Sequence, residues 1–227
     1  MLPINIVCAT RLSERDFYQS AALGRSLAQA YPDFPFKCRI YFENKKPLPV
    51  CYNDAIAQVS GADEILLFIH DDIFLIDFYW VDRLIAGLEM FDVVGLAGNK
   101  RRLPRQPSWA FIDEALTWDD RSNLSGVVGH GPQFPCEVSI YGPSGQQCKL
   151  LDGLFLATKK STLEKNQIAF DETFDFHFYD LDFCRQAEAH NVRMGTIPLC
   201  VIHQSGGDFE QTRWAANYEK YLRKWKE

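Results

Sequence analysis

Apolar residues along the chain fall into two spacings, short unbroken runs and stripes three to four apart, and these alternate through its N-terminal part. Ile4 to Ala9 reads as a buried strand followed by the loop Thr10-Arg11-Leu12. Ser13 with Asp16 three residues later resembles a capping box, after which Phe17, Ala21, Leu27, Ala28 and Tyr31 form one helical stripe ending before Pro32. Phe36 to Phe42 is a second strand with Glu43-Asn44 at its end, Lys45 to Pro49 a turn-rich connector, and Tyr52 through Val59 a second helix. Ile65 to Ile69 is a continuous apolar run, read as a strand buried on both faces, and it leads straight into His70-Asp71-Asp72. Asp77 is placed to N-cap a helix carrying Trp80, Val81, Leu84, Ile85 and Leu88, and Asp92 to Ala97 returns as a strand. This β-α-β-α-β-α-β order predicts an α/β fold: a single domain with a mostly parallel central sheet, helices on both faces and right-handed crossovers.

From Asn99 to about Lys149 the period is lost among prolines and glycines, so this stretch reads as an irregular insertion of the kind that is usually functional. It opens with Lys100, Arg101, Arg102 and Arg105, which either meet phosphate groups or form a solvated basic loop. Val138 to Tyr141 and Leu150 to Ala157 read as strands, the second with Asp152-Gly153 in its middle, where an acid is unusual unless it faces a site. A helix starting near Tyr179 puts Asp180 on one face with Phe183, Cys184 and Ala187, and Asp182 on another with Arg185, Gln186 and Ala189. Asp180 is then either an inward carboxylate with a raised pKa, suited to general base work, or an N-cap beside an Asp182–Arg185 pair. Ile197 to Ile202 forms a last strand ending in His203-Gln204-Ser205-Gly206-Gly207. Beyond it, Trp214, Tyr218, Tyr221, Leu222 and Trp225 recur at helical spacing among Arg213, Lys220, Arg223, Lys224 and Lys226. Such a helix either packs back on its own domain or, through residues 213–227, contacts a membrane peripherally.

Composition narrows the function classes. In 227 residues with 47% hydrophobic content there is material for one large core, and a formal net charge of −6 does not favour a nucleic-acid groove. Seven cysteines without a CxxC pair suggest buried thiols in a reducing compartment. No run reaches the roughly 20 apolar residues of a membrane span, and no leader pattern opens the chain, so the expected location is cytoplasmic or peripheral at the inner membrane face.

The candidate chemistry gathers at strand ends. In open α/β sheets ligands bind outside the carboxyl ends of the strands, where Asp71 and Asp72 either hold a cation or sugar hydroxyl or merely begin a turn. His203 leaves the last strand and is placed to approach them, a set of O and N donors that suits Mn or Mg completed by phosphate oxygens.

This ordered set, with an acid motif after an apolar strand, an Asp-Gly strand, the segment Phe170-Asp171-Glu172-Thr173-Phe174 leading to Asp180-Leu181-Asp182, and a late strand ending in histidine, resembles the GT-A fold, family 2-like glycosyltransferases over residues 4–207. The resemblance implies a nucleotide-sugar-binding half at 1–98, an acceptor and catalytic half at 99–207 and a C-terminal helix at 208–227. It implies that Thr10 and Arg11 flank the nucleotide, that Glu43 recognises the base, that Asn53 and Asp71 belong to the donor site and that Asp152 lies near the donor sugar. By the same resemblance Asp72 and His203 are metal ligands for Mn or Mg and Asp180 is the catalytic base. His70 stands where the family usually has Asp, and Tyr179 where it has Glu. The implied activity is inverting, metal-dependent transfer from a nucleotide diphosphate sugar to a glycan or lipid-linked acceptor, as in polysaccharide biosynthesis. The alternatives are a nucleotide-sugar or glycan binding module without turnover, and a nucleotidyltransferase, whose Gly-rich phosphate loop Ala9-Thr10-Arg11-Leu12-Ser13 lacks.

Overall fold

Strand β1 (Ile4–Ala9) enters the core directly, and the Ser13 hydroxyl then accepts the Asp16 N–H at 3.2 Å, opening α1 (Glu14–Ser20) as the capping signature predicts. The chain is described by a computed structural model over residues 3–29, 36–205 and 211–227; Tyr31, Pro32 and the Gly206-Gly207 pair lie outside the described residues. The stripe expected as one helix breaks at Ala21, whose extended backbone starts a second helix, α2 (Ala22–Gln29). That break turns the Leu23 N–H onto the Asp71 carbonyl at 3.0 Å, which ties α2 to the end of the central strand. Next come β2 (Phe36–Tyr41), α3 (Leu48–Gln58), β3 (Ile65–Ile69), β4 (Ile73–Leu75), α4 (Trp80–Met90), β5 (Val93–Gly95) and β6 (Ala97–Asn99). Asp77 does not cap α4: its carboxylate takes the Tyr79 N–H at 2.9 Å and the Arg83 guanidinium at 2.8 Å, one turn before the helix begins.

The irregular segment carries β7 (Leu124–His130), β8 (Glu137–Gly142), β9 (Gln147–Cys148) and β10 (Leu150–Leu151). The remaining elements are β11 (Phe155–Lys159), α5 (Lys160–Asn166), α6 (Tyr179–Ala189), β12 (Met194–Thr196), β13 (Val201–His203) and α7 (Gln211–Trp225). A seven-stranded sheet runs β2-β1-β3-β11-β5-β12-β9, with α3 on β1, α4 on β5 and β11, and α5 on β11. The α/β class holds, but the sheet is mixed: β2, β1 and β3 are parallel, while β11 lies antiparallel to both β3 and β5. The cause is the irregular segment, which delivers β11 from the opposite end of the sheet, and an apolar run buried on both faces carries no record of its direction.

Two runs expected as continuous strands, Asp92 to Ala97 and Leu150 to Ala157, are each divided between two sheets, and the strand expected over Ile197 to Ile202 forms only from Val201. Leu96 separates β5 from β6, Asp152–Leu154 separates β10 from β11, and residues 197–200 separate β12 from β13. One member of each pair, β6, β10 and β13, joins β7 and β4 in a smaller sheet, β10-β6-β7-β13-β4, with β8 on β7. The seam between the two sheets is where the polar strand ends meet.

The aromatic stripe of α7 does not face outward. Tyr218, Tyr221 and Leu222 are buried, and Trp214 and Trp225 pack against the core, so the surface a peripheral membrane contact would require is inside the domain. The three arginines of the basic cluster have intramolecular carboxylate partners: Arg101 pairs with Asp119, Arg102 with Glu188 and Glu227, and Arg105 with Glu114. No described helix is long and apolar enough to cross a membrane. All seven thiols are free, but Cys38 and Cys200 are exposed rather than buried.

Asp182 is fully buried and its carboxylate accepts from Lys224 at 2.7 Å, Trp225 at 2.9 Å and Gln186 at 2.7 Å, so it joins α6 to α7 rather than pairing with Arg185. Arg185 instead reaches Glu227 at 2.9 Å and lies 4.2 Å over the Trp225 ring. Lys224→Ala leaves a buried carboxylate with neutral donors only, Trp225 and Gln186. We expect it to lower unfolding stability by about 2 kcal/mol, less than for a wholly buried pair because Lys224 is a third exposed, as a chemical denaturation midpoint will read.

Candidate active site

The seam brings β3, β4 and β13 together so that His203 is in register with Ile73, directly beside Asp72. The Asp72 carbonyl accepts the Gln204 N–H at 3.0 Å, and the Asp72 Oδ2 lies 3.2 Å from His203 Nε2. Burial opposes charge on both partners, but their hydrogen bond and mutual attraction outweigh it, holding the Asp72 carboxyl well below the usual range and lifting His203 above its own. One donor atom from each of His70, Asp72 and His203 lies within 4.8 Å of the others. The other carboxylate oxygen, Asp72 Oδ1, is buried and has no hydrogen-bond partner among the described residues. An orphaned buried carboxylate oxygen beside two imidazoles fits a divalent cation with mixed O and N preference.

His70 and Tyr179 are hydrogen-bonded to each other. The Tyr179 hydroxyl donates to the Gly153 carbonyl at 3.0 Å, which uses its only proton, so the 2.9 Å contact with His70 Nε2 has the imidazole as donor. The lone pair of His70 is therefore on Nδ1, and burial keeps the ring neutral by lowering its pKa. Gly153 permits this close approach, since a Cβ there would collide with the Tyr179 hydroxyl.

Asp180 occupies the second position of α6. Its Oδ2 accepts the Gly153 N–H at 3.0 Å and its Oδ1 the Leu181 N–H at 2.9 Å. Burial first, and the charge of Asp152 second, push its pKa up to about 7. Phe178, the residue that caps α6, holds a left-handed backbone with φ 66°, a conformation that costs a bulky residue on the order of 1 kcal/mol. The rings of Trp214, Tyr218 and Tyr221 on α7 surround it at 5.4 to 5.5 Å and offset that strain. Thus α7 sets the angle at which Tyr179 and Asp180 enter the site.

Asp152 sits at the β10–β11 switch, its Oδ2 accepting the Trp109 indole N–H at 2.7 Å and its Oδ1 the Leu154 N–H at 3.0 Å. His70, Asp72, Asp152, Asp180 and His203 line one cavity of about 250 Å³. A second cavity of about 640 Å³ adjoins it through Asp71 and is lined by Thr10, Arg11, Lys45, Lys46 and Arg213. There Thr10 Oγ1 donates to Asp71 Oδ2 at 2.6 Å. Of the residues expected from sequence, Thr10, Arg11, Asp71, Asp72, Asp152, Asp180 and His203 therefore come together. Glu43 is exposed beside the second cavity, with a left-handed backbone and its N–H on the Leu12 carbonyl at 2.9 Å. Asn53 stands away from both cavities, its amide bonded to the backbone N–H and carbonyl of Phe170 and to Glu172. Trp109 escaped sequence reading because it lies in the segment without period; the Pro107-Ser108-Trp109 turn was its one visible mark.

The family described as "Glycosyltransferase like family" matches residues 39–225. The chain belongs to this glycosyltransferase family. Among solved structures, GalNAc-T7 with UDP, GalNAc and Mn²⁺ aligns with a TM-score of 0.58 at 8% identity, over 98% of this chain and 48% of that one. S. aureus TarS 1-349 aligns with a TM-score of 0.50 at 15% identity, over 90% of this chain and 60% of that one. At those identities the likeness is one of fold, GT-A in type, and the chain spans about half to three-fifths of each structure. No curated protein matches the chain. Within the glycosyltransferase fold the two cavities lie on either side of the Asp71-Asp72 turn.

Proposed function

We propose that the chain transfers a sugar from a nucleotide diphosphate sugar to a hydroxyl of a glycan or lipid-linked acceptor, with inversion and with Mn or Mg as cofactor. The observation that carries this reading is the orphaned Oδ1 of Asp72, a carboxylate grouped with His70 and His203 in the same cavity as a carboxylic acid poised near neutrality. GalNAc-T7, which shares the fold, holds UDP and Mn²⁺.

In this reading Thr10 and Arg11 flank the nucleotide, and the lysines at 45 and 46 supply charge to its diphosphate. Asp72, His203 and His70 hold the ion, which when bound neutralises charge developing on the leaving diphosphate. Asp180 takes the proton of the attacking acceptor hydroxyl, and an attack assisted by such a base in a single displacement inverts the anomeric carbon. Asp152, anchored by Trp109, presents its remaining lone pairs to the hydroxyls of the donor sugar. Asp152 also acts on Asp180 by keeping its pKa near the working pH.

Thermal shift with a set of nucleoside diphosphates and their sugars tests this reading. We expect a rise in Tm for one base that depends on Mn or Mg, because a ligand stabilises in proportion to the logarithm of its concentration over Kd. No shift with any nucleotide in the presence of either ion removes the proposal. A shift without transfer across an acceptor panel favours a binding module.

A further inference from the structure

Aromatic residues of the irregular segment form a path out of the crevice that sugar transfer itself does not require. Trp109, whose indole N–H holds Asp152, meets the Tyr141 ring edge-on at 4.8 Å. Tyr141 in turn lies nearly parallel to Trp118, with ring centroids 6.0 Å apart and planes 19° apart. Trp118 is 54% exposed, yet it is not loosely held. The bridge between Phe111 and Trp118, the Ile112 N–H on Thr117 O at 2.9 Å and the Asp119 N–H on Ala110 O at 2.9 Å close a hairpin around it. Buried Asp119 anchors that hairpin by accepting from Asn99, Arg101 and Asn123. More than half of a large apolar ring is thereby held in water in a fixed orientation, and pre-organisation of this kind favours a ligand. Trp118 and Tyr141 line a groove of about 480 Å³ with Arg121, Ser139 and the outward residues Val138 and Ile140 of β8.

We propose that this groove binds a sugar ring of the acceptor, stacked on Trp118 at a distance from the hydroxyl that reacts. The inference rests on reading the crevice as a sugar-transfer site, and it makes the preferred acceptor an oligosaccharide rather than a single sugar. A pyranose presents C–H groups on its faces and hydroxyls around its rim. The C–H face suits the negative face of an aromatic ring, while rim hydroxyls find the Arg121 guanidinium and the Ser139 hydroxyl at the edge of the same groove. Continuity argues for the acceptor over other occupants, because two ring contacts lead from Trp118 to the Trp109 side chain that touches Asp152. A second copy pairing along β8 is disfavoured by the register shift between Gly126 and Val127, which bends this edge.

The test is a glycan array probed with the fluorescently labelled full chain, alongside thermal shift with the same set of nucleoside diphosphates in Mn or Mg and light scattering of the same samples. We expect the chain to retain oligosaccharides, Trp118→Ala to weaken that retention about tenfold, and Trp118→Phe to keep most of it. Neither variant should change the nucleotide shift, which also reports that both are folded. Absence of glycan retention beside an intact nucleotide shift overturns the subsite and spares the transfer reading. Retention unchanged by Trp118→Ala overturns it as well. So does a wild-type dimer dissociated by Ile140→Lys, which assigns the face to a second copy. Retention that depends on Trp118 without any nucleotide shift keeps the subsite and removes the transfer reading.

Discussion

Asp180→Asn is expected to abolish turnover, by about a thousandfold, while leaving nucleotide binding within about threefold of wild type. The substitution preserves volume and removes the ability to accept the acceptor's proton, together with one of the two backbone N–H bonds that the carboxylate accepts. Because a base works in its ionised form, the wild-type rate should rise with pH up to about 7, where Asp180 titrates, and then level off. Asp152→Asn removes the nearby charge that holds this pKa up, so the rising limb should move to lower pH. Stability supplies a readout independent of catalysis. A folded-state pKa raised above the unfolded value makes the protonated form the better folder. The stability this contributes is complete below about pH 4 and is lost as pH rises through about 7. Asp180→Asn should lose that dependence and keep the rest of the pH–stability curve. A variant that still transfers sugar would remove Asp180 from the role of base, whatever its pKa.

The strand ends that make the site were legible because a chain buried on both faces must be apolar until it leaves the sheet. Ile65 to Ile69 therefore marks its own exit at His70, and the same logic finds His203. Asp180 was legible from helical period, since it shares a face with Phe183 and Cys184, both buried. Strand direction and sheet membership were not legible. Leu96 leaves the composition of its run unaltered and Asp152 marks a polar position without announcing a break, and whether the chain continues or switches sheets there depends on pairing with strands distant in sequence. Asn53 has the residue type of a donor-site group, but the two backbone groups of Phe170 claim its amide, a long-range pairing no local pattern announces. For α7 the apolar stripe was plain and its counterpart was not: the buried face of α6 around Asp182 becomes readable only once Lys224 and Trp225 are seen to close over it.

Asp72→Asn is the second large effect expected, a loss of at least about a hundredfold in Mn or Mg affinity and with it of ion-dependent nucleotide binding, both measurable by calorimetry. An amide cannot supply the negative charge that a divalent cation draws from Oδ1, and it leaves His203 without its anionic partner at 3.2 Å. Asp71→Asn is the control. That carboxylate is tied to Thr10 at 2.6 Å and is outside the three-residue donor set, so its loss should weaken the nucleotide more than the ion. Tyr179→Phe separates ligation from orientation: it touches no ion, but it removes the hydroxyl that fixes the His70 proton on Nε2 and so lets the lone pair leave Nδ1. A tenfold to hundredfold fall in ion affinity, of the order seen when an outer hydrogen bond to a ligating histidine is lost, is expected from that change alone. Equal ion affinity in Tyr179→Phe and wild type would take His70 out of the ligand set and leave Asp72 and His203 as the only protein ligands in it. In that event the His70–Tyr179 hydrogen bond would be a tie between β3 and α6 alone, and its loss would be read in the denaturation midpoint instead.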